Sequence, residues 1–433
     1  MAIADFETGK FMRLAVAVTC TLFVSPVLAD KMGDMGGMSM PGMEAMPEMA
    51  STGVFGPYPM TREASGTSWQ PDAAAHHGIH LMSDDWMFML HGRLLGIYDT
   101  QSGPRGDDQT LVSGMVMASA RRDFTSGDTL SFRAMLSLDP FMGRRGYPLL
   151  LQTGETGDGV TPLVDRQHPH DLFMELSASF GHRLSDDSSV FVYFGYPGEP
   201  ALGPVAMMHR VSAEDIPSAP LTHHWLDSTH VTFGVVTVGL VEDDWKLEAS
   251  QFTGREPDQF RFNFDPARFD STSLRLSWNP DPHWSLQASW GYLKSPEQLE
   301  PDVNENRYTA SATYFTPLDG DSSLAATLAF VRKQLSNGVG ENGFLAESEY
   351  KPNDAWTIFA RAESIESGEL FPKAGMKTAE ELTFGVIHDW RVAGHAKFGI
   401  GGLYAFDFVP GTPGPSYGGD PHGAMVFLRL IAE

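Results

Sequence analysis

The sequence predicts an all-β protein: a transmembrane antiparallel β-barrel of about sixteen strands, preceded by a Met-rich segment without regular structure. Three observations carry this. From Trp86 onward apolar residues recur at every second position. The connections between these runs alternate between short turns and long loops. No run of eighteen apolar residues occurs beyond the N-terminus, so strands rather than helices must do any spanning.

The alternation is plain in several runs. Phe88, Leu90, Leu94 and Tyr98 mark one face of the first, and His91, Arg93 and Asp99 the other. Phe132, Ala134 and Leu136 alternate with Arg133 and Ser137, and Trp284, Leu286, Ala288 and Trp290 with Ser285, Gln287 and Ser289. Period two means two unlike faces. Sixteen such runs lie near 86–98, 111–122, 129–139, 170–183, 189–196, 229–241, 244–254, 271–279, 283–292, 306–316, 322–333, 343–351, 355–365, 379–390, 395–408 and 423–431. A soluble sandwich also alternates, but turns such as Ser126-Gly127-Asp128 and Glu242-Asp243 against loops such as 140–169 and 197–228 describe a barrel with one short-turned rim. Trp86, Trp245, Trp278, Trp284, Trp356 and Trp390 sit at strand ends, where a membrane interface wants them. The apolar face would meet lipid. Arg133, Glu175, Lys246, Glu248, Arg275, Glu347, Arg361, Glu363 and Arg429 would line the lumen, most of them as partners in wall salt bridges.

The chain divides into a signal peptide (1–29), a largely irregular segment (30–85) and the barrel (86–433). Lys10 and Arg13 precede an apolar run ending in Ser25-Pro26-Val27-Leu28-Ala29, a cleavable export signal. The only Cys, Cys20, lies inside that run, so the mature chain has neither disulfide nor thiolate site. Short turns on the inner side put the N-terminal segment in the periplasm of a bacterial outer membrane. A formal net charge of −25 excludes nucleic acid and favours cations.

Two stretches carry metal chemistry. Met32, Met35, Met38, Met40, Met43, Met46 and Met49 recur among Gly and Pro that forbid a core helix or strand, so they are a tether or a set of thioether ligands for Cu(I). Asp165 to His230 holds His168, His170, Asp171, His209, His223, His224, Asp227 and His230. Imidazole with carboxylate suits a borderline metal such as Cu(II); the plain alternative is that these side chains cross-link a long loop by hydrogen bonds.

The order of strands makes 197–228 the third outer loop, and in this the chain resembles the sixteen-stranded bacterial porins, in which that loop folds into the barrel and narrows it. That resemblance implies that His209, His223 and His224 lie near a constriction. The Met-Gly-Asp-Met, Met-Gly-Gly-Met-Ser-Met and Met-Pro-Gly-Met runs between Met32 and Met43, after an export signal and before a barrel, are similar to the copper resistance protein B family. The leader departs from that family in lacking His. This resemblance implies copper handling at the outer membrane, with periplasmic copper proteins as partners and no required cofactor. Three functions follow: a copper-associated channel or sequestering barrel; a general or substrate-specific porin without a metal role; and a membrane-embedded metal enzyme. The third is disfavoured because the chain lacks HExxH and Gly-x-Ser-x-Gly motifs. Oligomerisation is compatible with all three.

Overall fold

The computed structural model describes residues 52–75, 78–371, 375–411 and 414–433. The export signal, Met32 to Met49, His76 and His77 lie outside the described residues. Sixteen antiparallel strands close into one barrel. They are β1 (Trp86–Gln101), β2 (Asp108–Asp123), β3 (Thr129–Ser137), β4 (Phe173–Arg183), β5 (Ser188–Gly195), β6 (Val235–Glu242), β7 (Trp245–Phe252) and β8 (Ser271–Asp281). Then follow β9 (Trp284–Leu293), β10 (Glu305–Pro317), β11 (Ser323–Leu335), β12 (Gly340–Asn353), β13 (Trp356–Ser367), β14 (Lys377–Ala393), β15 (Ala396–Phe408) and β16 (His422–Ala432). Each strand pairs with its neighbours in sequence, and β16 closes the ring on β1, with Val426 opposite Tyr98 and Ala432 opposite Gly92. No strand edge of the barrel is left for lipid.

The two faces of each strand separate as the period demands. Phe88, Leu90, Leu94 and Tyr98 point outward, as do Val238, Leu240, Leu274, Leu276, Val426 and Leu428, each about half exposed. A continuous apolar girdle of this kind needs lipid, not water. The six predicted tryptophans stand at the short-turned rim, and Trp245 stacks on Trp278 at 4.8 Å between ring centres. Asp243, with φ of 51°, makes the turn between β6 and β7, a backbone position that a short polar side chain tolerates.

The lumen is packed rather than open. Arg275 pairs with Glu248 at 2.9 Å and Arg429 bonds Asp389 at 2.9 Å. Residues 52–75, expected to lie outside the barrel, instead enter it at the short-turned rim. There Arg275 bonds Thr67 at 2.9 Å and Ser68 at 2.8 Å, and Arg62 ties Asp72 (2.6 Å) and Asp244 (3.0 Å). Polar wall residues satisfy this segment's polar groups, which is why it can stay irregular indoors. Within the segment expected to be largely irregular, Ile79–Ser83 is a short strand on β1, with Ile79 opposite Leu90 and Ser83 opposite Trp86.

The third long loop, between β5 and β6, folds inward. Leu221 and Thr222 donate their backbone N–H to Glu363 (2.9 Å each), Arg361 reaches the Ser218 carbonyl (3.1 Å), and Arg307 bonds Ser228 (2.9 Å). Trp225 and Leu226 pack with Val331, Leu345 and Ile365 of the wall. The expected strand from residue 229 begins only at Val235, because Ser228–His230 is a 3-10 turn whose His230 N–H bonds Asp227. Likewise the strand expected from residue 170 begins at Phe173, leaving His170 and Asp171 in the preceding loop.

Candidate metal centre

Two stretches far apart in sequence meet inside the barrel. In the first, Pro169 holds an extended segment, so His168 and His170, two residues apart, share a face with rings 6.1 Å apart. In the second, His223–Leu226 is a single helical turn followed by the turn Ser228–His230. Five imidazoles result in mutual contact. His170 lies 5.0 Å from His230, His223 lies 5.2 Å from His230 and 5.1 Å from His224, and His168 lies 5.0 Å from His224, between ring centres.

His170, His223 and His230 form one trio whose ligand atoms can lie within 4.8 Å of each other, and His168, His223 and His224 a second. The first trio has the fuller support. Each of its rings spends Nδ1 on an acceptor: His170 on Asp139 (2.7 Å), His223 on Asp227 (2.8 Å) and His230 on the Asp227 carbonyl (2.6 Å). Each leaves Nε2 buried with no hydrogen-bond partner among the described residues. A buried polar atom left unpaired costs about 1–3 kcal/mol, so three at one place need an explanation. An acceptor on Nδ1 fixes the tautomer and turns the Nε2 lone pair to a metal, the arrangement usual for metal-bound histidine. The residues therefore fit a divalent transition metal. His223 has one free nitrogen, so only one trio can use it at a time.

The electrostatics agree. Burial, reinforced by neighbouring imidazoles, pushes His230 down to about 3 and His168 well below its ordinary value, so both are neutral ligands at neutral pH. Burial works against charge on Asp227, but His223 and Arg210 outweigh it and hold the carboxyl below its usual range. Asp139 is likewise held low by His170 despite burial. Two carboxylates behind three imidazoles offset the charge of a dication.

Other predicted residues are placed differently. Asp171 does not face the trio; it pairs with Arg261 at 3.2 Å. His209 stands apart, its Nε2 3.4 Å from Met135 Sδ and its ring 5.8 Å from His91. His224 lies 3.7 Å from Glu256, and His168 3.3 Å from Glu155. Gly154 leaves room for His224, whose ring a Cβ there would meet at 2.7 Å. Asp139 was missed by sequence reasoning; its signal was a lone acid at the end of a strand run, too common to single out.

No family model matches the chain, and no curated protein matches it in sequence. Solved structures do match. The Salmonella typhi OmpF complex with daunomycin aligns with a TM-score of 0.53 at 11% identity, covering 82% of this chain and 100% of that one. The fold is that of a porin-type barrel. The outer-membrane expressed OmpT of Vibrio cholerae aligns at 0.48 and 10% identity over 82% of this chain and 100% of its own. An anion-selective porin from Comamonas acidovorans aligns at 0.46 and 10% over 80% of this chain and 99% of its own. The resemblance to sixteen-stranded porins holds as a fold; none of these comparisons points to the copper resistance protein B family.

Proposed function

We propose that the chain is a porin-like barrel of the bacterial outer membrane whose lumen carries a transition-metal centre on His170, His223 and His230. The observation that supports the centre is the convergence of three buried, unpaired Nε2 atoms, each backed at Nδ1. The apolar girdle and the likeness to OmpF support the membrane barrel. Among divalent first-row metals an imidazole site binds Cu(II) tightest, and the thioethers of Met32 to Met49 suit Cu(I). Copper handling is therefore the finer reading, as a channel or sequestering barrel rather than an enzyme.

A second reading is a solute porin without a metal role. The porin fold supports it, and the comparisons favour it over copper. Inside the barrel, a cavity of about 360 Å³ opens beside Asp321 and Asp354 of the short-turned rim. The two readings separate on one titration. The mature protein in detergent is expected to bind Zn(II) or Cu(II), and His223→Ala, which removes the residue common to both trios, to lose that binding. Equal binding by both proteins, or none by either, overturns the metal reading, and single-channel conductance then becomes the measure of function.

A further inference from the structure

Methionine is concentrated on one patch inside this barrel. Among the described residues, Met89, Met117, Met135 and Met174 form one buried cluster with Val231, and the half-buried Met115 and Met208 pack against it. The interior clusters around Trp225 and around Trp69 contain no methionine among the described residues, and the one around Phe359 and Phe427 has Met425, with Met142 and Met207 packed against it. Methionine commonly fills irregular gaps, but gap-filling does not require it to be concentrated on one patch of wall. The registers show how the patch is built. His91 of β1 lies opposite Met117 of β2, and Met117 lies opposite Met135 of β3. The row then meets β4 at the irregularity where Met135 faces Glu175 and Leu136 faces Phe173, leaving Met174 as the extra residue.

The third loop lays Met208 and His209 over this row. His209 Nε2 stands 3.4 Å from Met135 Sδ. Two donors on one tetrahedral ion, with bonds of about 2.0 Å to nitrogen and about 2.3 Å to sulfur, lie roughly 3.5 Å apart. The patch is also reachable. The cavity of about 360 Å³ at the short-turned rim extends to His91, Met115, Met208 and His209. A cavity of about 120 Å³ against the N-terminal segment adds Met87, Met89 and Met117. On its far side, Met117, Met135, Met208 and His209 line one small hollow together with His230 of the histidine centre.

We propose that this wall is a second metal site, separate from the histidine trio, that takes a soft monovalent cation: Cu(I), or Ag(I) as its redox-inert counterpart. Thioether sulfur is a soft, neutral donor and needs no deprotonation. Its ligands are Met135 and His209, completed from Met117 and Met208. The site stands between the short-turned rim and the trio, so a soft ion entering from that rim meets sulfur before imidazole.

The test uses the mature chain, which has lost Cys20 with the export signal, with the seven leader methionines, Met32 to Met49, changed to leucine, so that the leader's thioethers are removed. Ag(I) is added and X-ray absorption is read at the silver edge. Bound silver with both sulfur and nitrogen neighbours is expected. The double variant Met117→Leu/Met135→Leu, made on that background, is expected to bind Ag(I) at least ten-fold more weakly while keeping Zn(II) binding at the trio. Silver that is not retained, or silver with a nitrogen-only shell, overturns the proposal. Unchanged Ag(I) affinity in the double variant also overturns it. If the double variant loses both metals, the absorption spectrum of the parent decides alone. Because Zn(II) and Ag(I) are read separately, failure of this site is distinguishable from failure of the histidine centre.

Discussion

Asp139→Asn isolates the metal reading from the structural one. Asp139 accepts from His170 Nδ1 at 2.7 Å with one oxygen and from Ser113 at 2.6 Å with the other. Asparagine keeps the shape. Its Oδ1 accepts from His170 and its amide donates to the Ser113 oxygen, so the ring stays in place. What changes is one negative charge behind a ligand. Removing a carboxylate that backs a metal-bound histidine costs about 10- to 100-fold in affinity, or about 1.4–2.8 kcal/mol. Binding is read by competition against a chromophoric chelator, with Zn(II) as the probe. The account predicts a Kd raised by that factor, with heat-modifiable gel migration unchanged. If Asp139 only ties its loop to His170, the substitution shifts the melting temperature but leaves metal affinity alone. That result, or equal affinity with equal stability, refutes the reasoning.

Three further outcomes are expected. Arg210 is buried, bonds the Val205 carbonyl at 2.9 Å and pairs with Glu347, so Arg210→Met strands a buried carboxylate and should cost about 3–5 kcal/mol, read as a lower melting point and faster proteolysis between Tyr196 and Gly234. The double change Arg210→Met/Glu347→Leu should recover most of that loss, and no recovery would show that the pair is not what pins the loop. Burial, partly offset by Arg275, raises Glu199 from 4.5 to about 7; the folded state then holds a proton that the unfolded chain releases, so its contribution is full below about pH 4.5 and is lost as pH rises through about 7. Glu199→Gln should therefore melt like the parent at pH 4.5 and higher than it at pH 8, by up to about 3 kcal/mol, and a difference that does not grow with pH contradicts this. Deleting Met32 to Met49 should remove Cu(I) equivalents and leave Zn(II) binding unchanged; a matching loss of Zn(II) would place that ion on the leader instead.

Much of the fold was legible because a barrel wall writes itself locally. Each lipid-facing residue is apolar and its neighbours are not, so Phe88, Leu90 and Leu94 against Arg93 identify both the strand and its orientation. The short turns and the rim tryptophans do the same for topology. The errors fall where tertiary contacts override pattern. Residues 229–234 read as strand, yet the Asp227 backbone captures His230 in a turn. Residues 52–75 have no period because many of their partners are wall side chains such as Arg275, Lys246 and Arg133 rather than a neighbouring strand. The histidines of the centre stood out by type and spacing. Which three converge did not, because His170 and His230 are brought together only by the loop's inward path. The methionine patch needed strand register: Met117 and Met135 carry no signal of their own until β2 is laid against β3.

The most direct measurement of the central claim is X-ray absorption at the metal edge of the Zn(II)- or Cu(II)-loaded mature protein, alongside His223→Ala. The account predicts three imidazole nitrogens at about 2.0–2.1 Å in the parent and loss of that signature in the variant. A shell of oxygen or sulfur alone, or one that survives His223→Ala, would contradict it.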